Sequence, residues 1–179
     1  MTVNLETDIL KGGLTFRNCT INHISRRIRG CTFEYCKILA CAGVENCTLT
    51  DVENLMVYDG YIRNCKFTNP QSVMVYDGGI AGCQFSDVRC DCESVIYLEN
   101  SEIYDCSFNN ICLSNGSYLL EGMDDMSVQH CCFSNCSTDR DDLEIIHREI
   151  TSGRLFKKRK PCPVSTDTCK GLDRVMLLG

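Results

Sequence analysis

Tryptophan is missing from this sequence altogether, and proline occurs only at Pro70, Pro161 and Pro163, so no proline-rich linker divides the 179 residues. At that length one domain is expected, large enough for a real core. Basic residues are outnumbered by acidic ones, 18 to 24. The formal net charge is −6, which argues against nucleic acid as a partner. No apolar run reaches the length of a membrane span. Met1–Gly13 has neither a basic start nor an apolar stretch of the secretory kind. No two cysteines have the two-residue spacing of structural zinc sites; Cys90-x-Cys92 and Cys131-Cys132-x-x-x-Cys136 are only loosely ligand-like. None of the three histidines, His23, His130 and His147, has an evident catalytic partner. These absences lead to the expectation of a cytoplasmic, non-catalytic chain without metal or cofactor.

What is abundant is cysteine, with 16 residues, and seven of them mark a repeat. Aligning on Cys19, Cys31, Cys47, Cys65, Cys83, Cys106 and Cys131 brings other columns into line. Three residues earlier stand Phe16, Ile28, Val44, Ile62, Ile80, Ile103 and Val128. Two residues later stand Ile21, Phe33, Leu49, Phe67, Phe85, Phe108 and Phe133. The position just before the cysteine holds Asn18, Gly30, Asn46, Asn64, Gly82, Asp105 and His130. Glycine, Asn, Asp and His are the residues enriched in the left-handed backbone region. Each copy therefore reads as a strand, a left-handed corner and a second strand, with Cys and the following aromatic on one side. A unit this small buries its apolar row only by stacking on its neighbours, at about 4.8 Å per coil. The cysteines then act as small apolar core residues, expected to be free thiols as in a reducing cytosol.

This pattern over residues 14–136 resembles the right-handed parallel β-helix repeat of the pectate-lyase-like group, whose coils carry an asparagine row at one corner. The fold expected is all-β: a right-handed parallel β-helix of about seven coils with a short C-terminal capping helix. Residues 1–13 are expected to form an N-terminal cap, and residues 137–179 the capping helix and a basic tail. Leu143, Ile146, His147 and Ile150 share a helical face, and Lys157-Lys158-Arg159-Lys160 follows. The first cysteine interval is only 12 residues, about 40 Å when fully extended. That is short for a three-sided coil, so the first turn is expected to be irregular. Later intervals lengthen, with extra residues at 86–95 and 109–118.

A third strand per coil runs through Val57-Tyr58-Asp59-Gly60 and Val75-Tyr76-Asp77-Gly78, continued by Leu98-Glu99-Asn100 and Leu120-Glu121-Gly122. Aligned in this way, Asp59, Asp77, Glu99 and Glu121 form an acidic row on consecutive coils, a candidate binding face for Ca²⁺, carbohydrate or a basic protein. The plainer explanation is that acidic residue plus glycine ends a strand at a turn. Arg17, Arg29 and Arg63 form a basic column. The Gly-His-Gly signature of polygalacturonases is absent. Tubulin-folding cofactor C and cyclase-associated protein also have short-coiled β-helices, and the former uses an arginine to stimulate GTP hydrolysis, but its Gln-Gln-Leu-Arg context is absent. The reading is a non-catalytic cytoplasmic solenoid interaction or scaffold module, on its own or as the C-terminal part of a larger system, with a protein partner, neither nucleic acid nor membrane. The alternative is a carbohydrate-binding or carbohydrate-active protein of the pectate-lyase type.

Overall fold

A computed structural model of the chain describes residues 2–3, 12–21, 27–90, 94–114, 117–123, 127–135 and 137–138. These residues form a parallel β-solenoid. Every strand pairing is parallel and joins one coil to the next. Sheet A is made of Thr2–Val3, Thr20–Ile21, Lys37–Cys41, Asn54–Tyr58, Val73–Tyr76, Ser94–Glu99 and Tyr118–Met123. Sheet B holds Ile28–Arg29, Val44–Glu45, Tyr61–Arg63, Gly79–Ala81, Glu102–Tyr104 and Ser127–Gln129. Sheet C holds Thr15–Arg17, Thr32–Glu34, Thr48–Thr50, Lys66–Thr68, Gln84–Ser86, Ser107–Asn109 and Cys132–Ser134. The extra residues of the longer coils make a fourth, small sheet from Arg89–Cys90, Cys112–Leu113 and Ser137–Thr138.

The chain passes from sheet B to sheet C through the corner predicted by the cysteine repeat. Gly30, Asn46, Asn64, Gly82, Asp105 and His130 all have φ between 51° and 61° there. The C-to-A corner uses the same device one residue type at a time: Asn18, Tyr35, Asp51, Asn69, Asp87, Asn110 and Asn135 all have positive φ. The A-to-B corner repeats it a third time with Asp59, Asp77 and Asn100. Glycine, Asn, Asp and His are the residues enriched in this region, and among the described residues Tyr35 is the one exception.

Strands alternate inward and outward residues, so each sheet contributes its inward set to one core. Phe33, Leu49, Phe67, Phe85 and Phe108 of sheet C are buried and stacked in register. Phe67 and Phe85 lie 4.7 Å apart with nearly parallel rings, and Phe85 and Phe108 5.0 Å apart. Each such ring contributes about 1.5–3 kcal/mol when removed from water. Ile28, Val44, Ile62, Ile80 and Ile103 face them from sheet B, and Ile38, Leu55, Val73 and Ile96 from sheet A.

The first coil corrects the sequence alignment. Phe16 pairs with Phe33 in sheet C, not with Ile28, and Ile21 pairs with Ile38 in sheet A. Cys19 accordingly sits at the C-to-A corner with Cys36, their sulfurs 3.5 Å apart. The 12-residue turn is an artefact of matching Asn18-Cys19 to the wrong corner. From Phe16 to Phe33 is 17 residues, an ordinary coil.

Among the described residues there is no helix. The capping helix expected within 137–179, the Lys157–Lys160 run and most of the expected N-terminal cap lie outside them. Of the part of the cap that is described, Thr2–Val3 adds a strand to the end of sheet A.

Candidate functional site

Aromatic residues are sorted by hydroxyl. The described phenylalanines whose side chains are placed point inward, whereas all seven tyrosines are exposed or half-exposed. A phenol keeps its O–H in water while its ring covers a surface, so such rings on a flat sheet form a contact surface. Three of the seven gather on the outer face of sheet A. Tyr58 and Tyr76 are one coil apart, rings stacked at 4.9 Å and 9°, and Tyr97 lies tilted against Tyr76 at 5.9 Å. Beside them, Met56 and Met74 are aligned with Tyr97. The Tyr58 and Tyr76 hydroxyls point back to the Met56 and Met74 sulfurs, each at 3.7 Å. Tyr58 is 45% exposed.

The four acidic residues do not form one row. In sheet A, Tyr76 pairs with Glu99, and Tyr97 pairs with Glu121. Asp59 and Asp77 instead lie past the strand ends on the left-handed corner, where the next coil carries Asn100. The corner column is therefore Asp59, Asp77, Asn100, and the Asn100 amide donates to Asp77 Oδ1 at 3.2 Å. Left-handed backbone selects Asn over Glu, and that preference, not likeness of charge, sets the register. The acids surround the tyrosines nonetheless: Asp59 and Asp77 at the corner, Glu99 and Glu121 within the sheet. Tyr97 donates to Glu99 Oε2 at 3.3 Å. Burial, followed by Glu99, raises the Tyr97 phenol above its ordinary pKa, with Glu121 adding to the effect. Burial also raises Tyr76, helped by Tyr58 and Glu99.

The C-to-A corner resolves its own acidic neighbours with amides. Asn69 Nδ2 donates to Asp51 at 2.7 Å and Asn110 Nδ2 to Asp87 at 2.6 Å. Asp59 beside Asp77 has no such donor between the pair.

The expected basic column does not form, because Arg17 belongs to sheet C and Glu45 stands between Arg29 and Arg63 in sheet B. Arg17 pairs with Glu34 at 2.7 Å and Arg29 with Glu45 at 2.8 Å. The Arg63 guanidinium lies over the Tyr61 ring, 4.4 Å from its centroid. Tyr61 reaches across Gly79 to donate to Glu102 at 3.0 Å. A Cβ on Gly79 would stand 2.8 Å from the Tyr61 ring, so glycine is what lets the bridge lie flat. His130, on its corner, is 3.5 Å from Asp105 one coil away and so has a partner that the sequence did not reveal.

The cysteine column does more than fill space. Each corner cysteine N–H points along the stack to the next coil's sulfur: Cys31 to Cys47, Cys47 to Cys65 and Cys65 to Cys83, at 3.4–3.5 Å. Each thiol in turn donates to the carbonyl two residues before it, as Cys65 does to Arg63 at 3.2 Å. Seven cysteines of the expected column are buried free thiols, and burial pushes the Cys41 thiol, in sheet A, up to about 12. Cys90, in the small fourth sheet, departs from the expectation of thiols throughout and is disulfide-bonded. No group of three or more His, Cys, Asp or Glu among the described residues is placed to hold a metal ion.

Comparison with known proteins adds no kinship: no family model, curated protein or solved structure matches the chain.

Proposed function

We propose that this chain is a non-catalytic solenoid interaction module of the cytoplasm that docks a protein partner on the outer face of sheet A. One observation carries this reading: Tyr58, Tyr76 and Tyr97, flanked by Met56 and Met74, form a continuous platform on rigidly stacked strands. Tyrosine and methionine are enriched at the centres of protein interfaces, and tyrosine is prominent among residues whose truncation costs most. The thiols of the corner column are in keeping with a reducing compartment, whereas the Cys90 disulfide on the small fourth sheet runs against it.

The test is capture of partners on immobilised protein, wild type against a Tyr58→Ala/Tyr76→Ala double variant with an unchanged urea midpoint. Partners retained by the wild type and lost by the double variant support the reading. Equal retention refutes it.

A carbohydrate-binding role is the second reading, in keeping with the pectate-lyase-like resemblance and the coplanar Tyr58–Tyr76 pair, on which a sugar ring can stack. Binding to an oligosaccharide array that disappears in the same double variant, without any captured protein, favours it.

A further inference from the structure

The platform on sheet A is acidic and, among the described residues, lacks cations of its own. The strands Asn54–Tyr58, Val73–Tyr76, Ser94–Glu99 and Tyr118–Met123 contain neither lysine nor arginine. Asp59, Asp77, Glu99 and Glu121 stand within or beside them. The nearest cation in the same sheet, Lys37, is already held by Glu53 at 2.7 Å. The other two faces treat their acids differently. Glu34 and Glu45 are each paired with an arginine of the adjacent coil. Glu102 accepts from Tyr61, over whose ring Arg63 lies. Among the described residues, the acids of sheets B and C thus have an arginine on or beside them, and those of sheet A do not.

Sheet B also shows what kind of group suits such a surface. There an arginine lies over a tyrosine whose hydroxyl is held by a glutamate, so aromatic face, cation and carboxylate share one spot. Sheet A has the rings and the carboxylates without the guanidinium. Tyr97 and Glu99 repeat the phenol-to-carboxylate contact at 3.3 Å, with Tyr76 alongside. Arginine fits this vacancy better than lysine does, because its planar head stacks on a ring and offers a carboxylate two parallel N–H groups. A second copy of this chain fits poorly, since a two-fold contact would set these same acids against one another.

We propose that the segment docking on sheet A is basic and arginine-bearing, its guanidinium groups stacking on Tyr58, Tyr76 and Tyr97 while pairing with Glu99, Glu121, Asp59 and Asp77. This rests on the reading of sheet A as the docking face and adds the partner's chemistry to it.

The experiment uses the whole chain and three fluorescent hexapeptides, alternating threonine with arginine, lysine or glutamine, followed by anisotropy at low and high salt. The arginine peptide should bind and lose affinity as salt rises, with the lysine peptide weaker by about three- to tenfold. Tyr76→Ala should weaken arginine-peptide binding by roughly tenfold. Glu99→Gln/Glu121→Gln should weaken it similarly and flatten its salt dependence. Glu34→Gln on sheet C should change nothing. Absent binding of the arginine peptide, or equal binding of arginine and glutamine peptides, overturns the proposed partner chemistry. In the second case, loss of both in Tyr76→Ala leaves the docking face standing. Arginine-peptide binding indifferent to Tyr76→Ala and to both glutamate changes, yet weakened by Glu34→Gln, overturns the face itself.

Discussion

The amide of Cys47 donates its hydrogen to the sulfur of Cys65, one coil further on, at 3.5 Å. Corner amides turn out of the sheet ladder just where the chain changes face, and a buried amide without a partner costs about 1–3 kcal/mol. A thiol at the inward corner position supplies that partner while filling an apolar space. Ser101 performs the same service at the A-to-B corner, accepting from Gly78 N–H at 3.2 Å and donating to the Glu99 carbonyl.

Cys65→Ser should therefore be tolerated better than Cys65→Ala. Serine keeps an acceptor for the Cys47 amide, whereas alanine removes it and leaves a small void. A difference of about 1–2 kcal/mol in urea unfolding is expected, with alanine the worse. Equal losses would mean that the sulfur serves only as filler.

Asn64 has φ of 51° at the B-to-C corner. Asn64→Gly should be nearly neutral, whereas Asn64→Val forces a β-branched residue into the left-handed region at about 1–2 kcal/mol. Urea midpoints of the two variants decide this, and their coincidence would remove the corner argument.

How much of this could be read in the sequence depends on which residue carried the signal. The column Gly30 to His130 was legible because left-handed backbone restricts residue type so strongly. The other two left-handed columns were less so. At the C-to-A corner the left-handed residue is followed by Cys19 and Cys36 but then by Val52, Pro70 and Val88, so no single word repeats. Asn18-Cys19 matches Asn46-Cys47 and Asn64-Cys65 letter for letter while occupying a different corner, which is how the first coil came to be misplaced. On sheet A, two copies of Tyr-Asp-Gly set a pattern whose third member is Glu99-Asn100-Ser101. Matching acid with acid put Glu99 one residue out of register. Asking which residue tolerates positive φ would have chosen Asn100. The tyrosine platform is hidden in the sequence because Met74 aligns with Tyr97 and Tyr76 with Glu99, a column of mixed residues that only the strand register reveals.

That register alters what the acidic residues should do. Asp59 and Asp77 are the aligned pair, and like charges directly opposite each other on neighbouring strands destabilise. Asp59→Asn should raise stability by about 0.2–1 kcal/mol at low salt, a gain that fades as salt screens the pair. Glu99→Gln, in a different column, should give no comparable gain. Thermal melts at two salt concentrations separate the two. A larger gain from Glu99→Gln would restore the single acidic row.

Buried thiols also fix the response to alkali. Burial raises Cys41 to about 12, and burial followed by contact with Cys36 raises Cys19 to about 11, from an ordinary 9.0. Above pH 9 the unfolded chain releases these protons while the folded chain keeps them, so stability falls as pH rises, by up to about 1.4 kcal/mol per pH unit for each such group. The urea midpoint should decline between about pH 9 and 11. Cys41→Ala, though less stable overall, should show a shallower decline. An unchanged midpoint through that range would contradict buried thiols.

The most direct test of the docking face is tyrosine footprinting by hydroxyl radicals, with and without the arginine hexapeptide at saturation. Tyr58, Tyr76 and Tyr97 share one face, whereas Tyr35 lies on a corner and Tyr61 and Tyr104 on sheet B, so the tyrosines report on separate surfaces. The account predicts protection of Tyr58, Tyr76 and Tyr97, with Tyr35, Tyr61 and Tyr104 oxidised as in the free chain. Protection confined to Tyr61 and Tyr104, or to Tyr35, with the sheet A tyrosines unchanged, would contradict it.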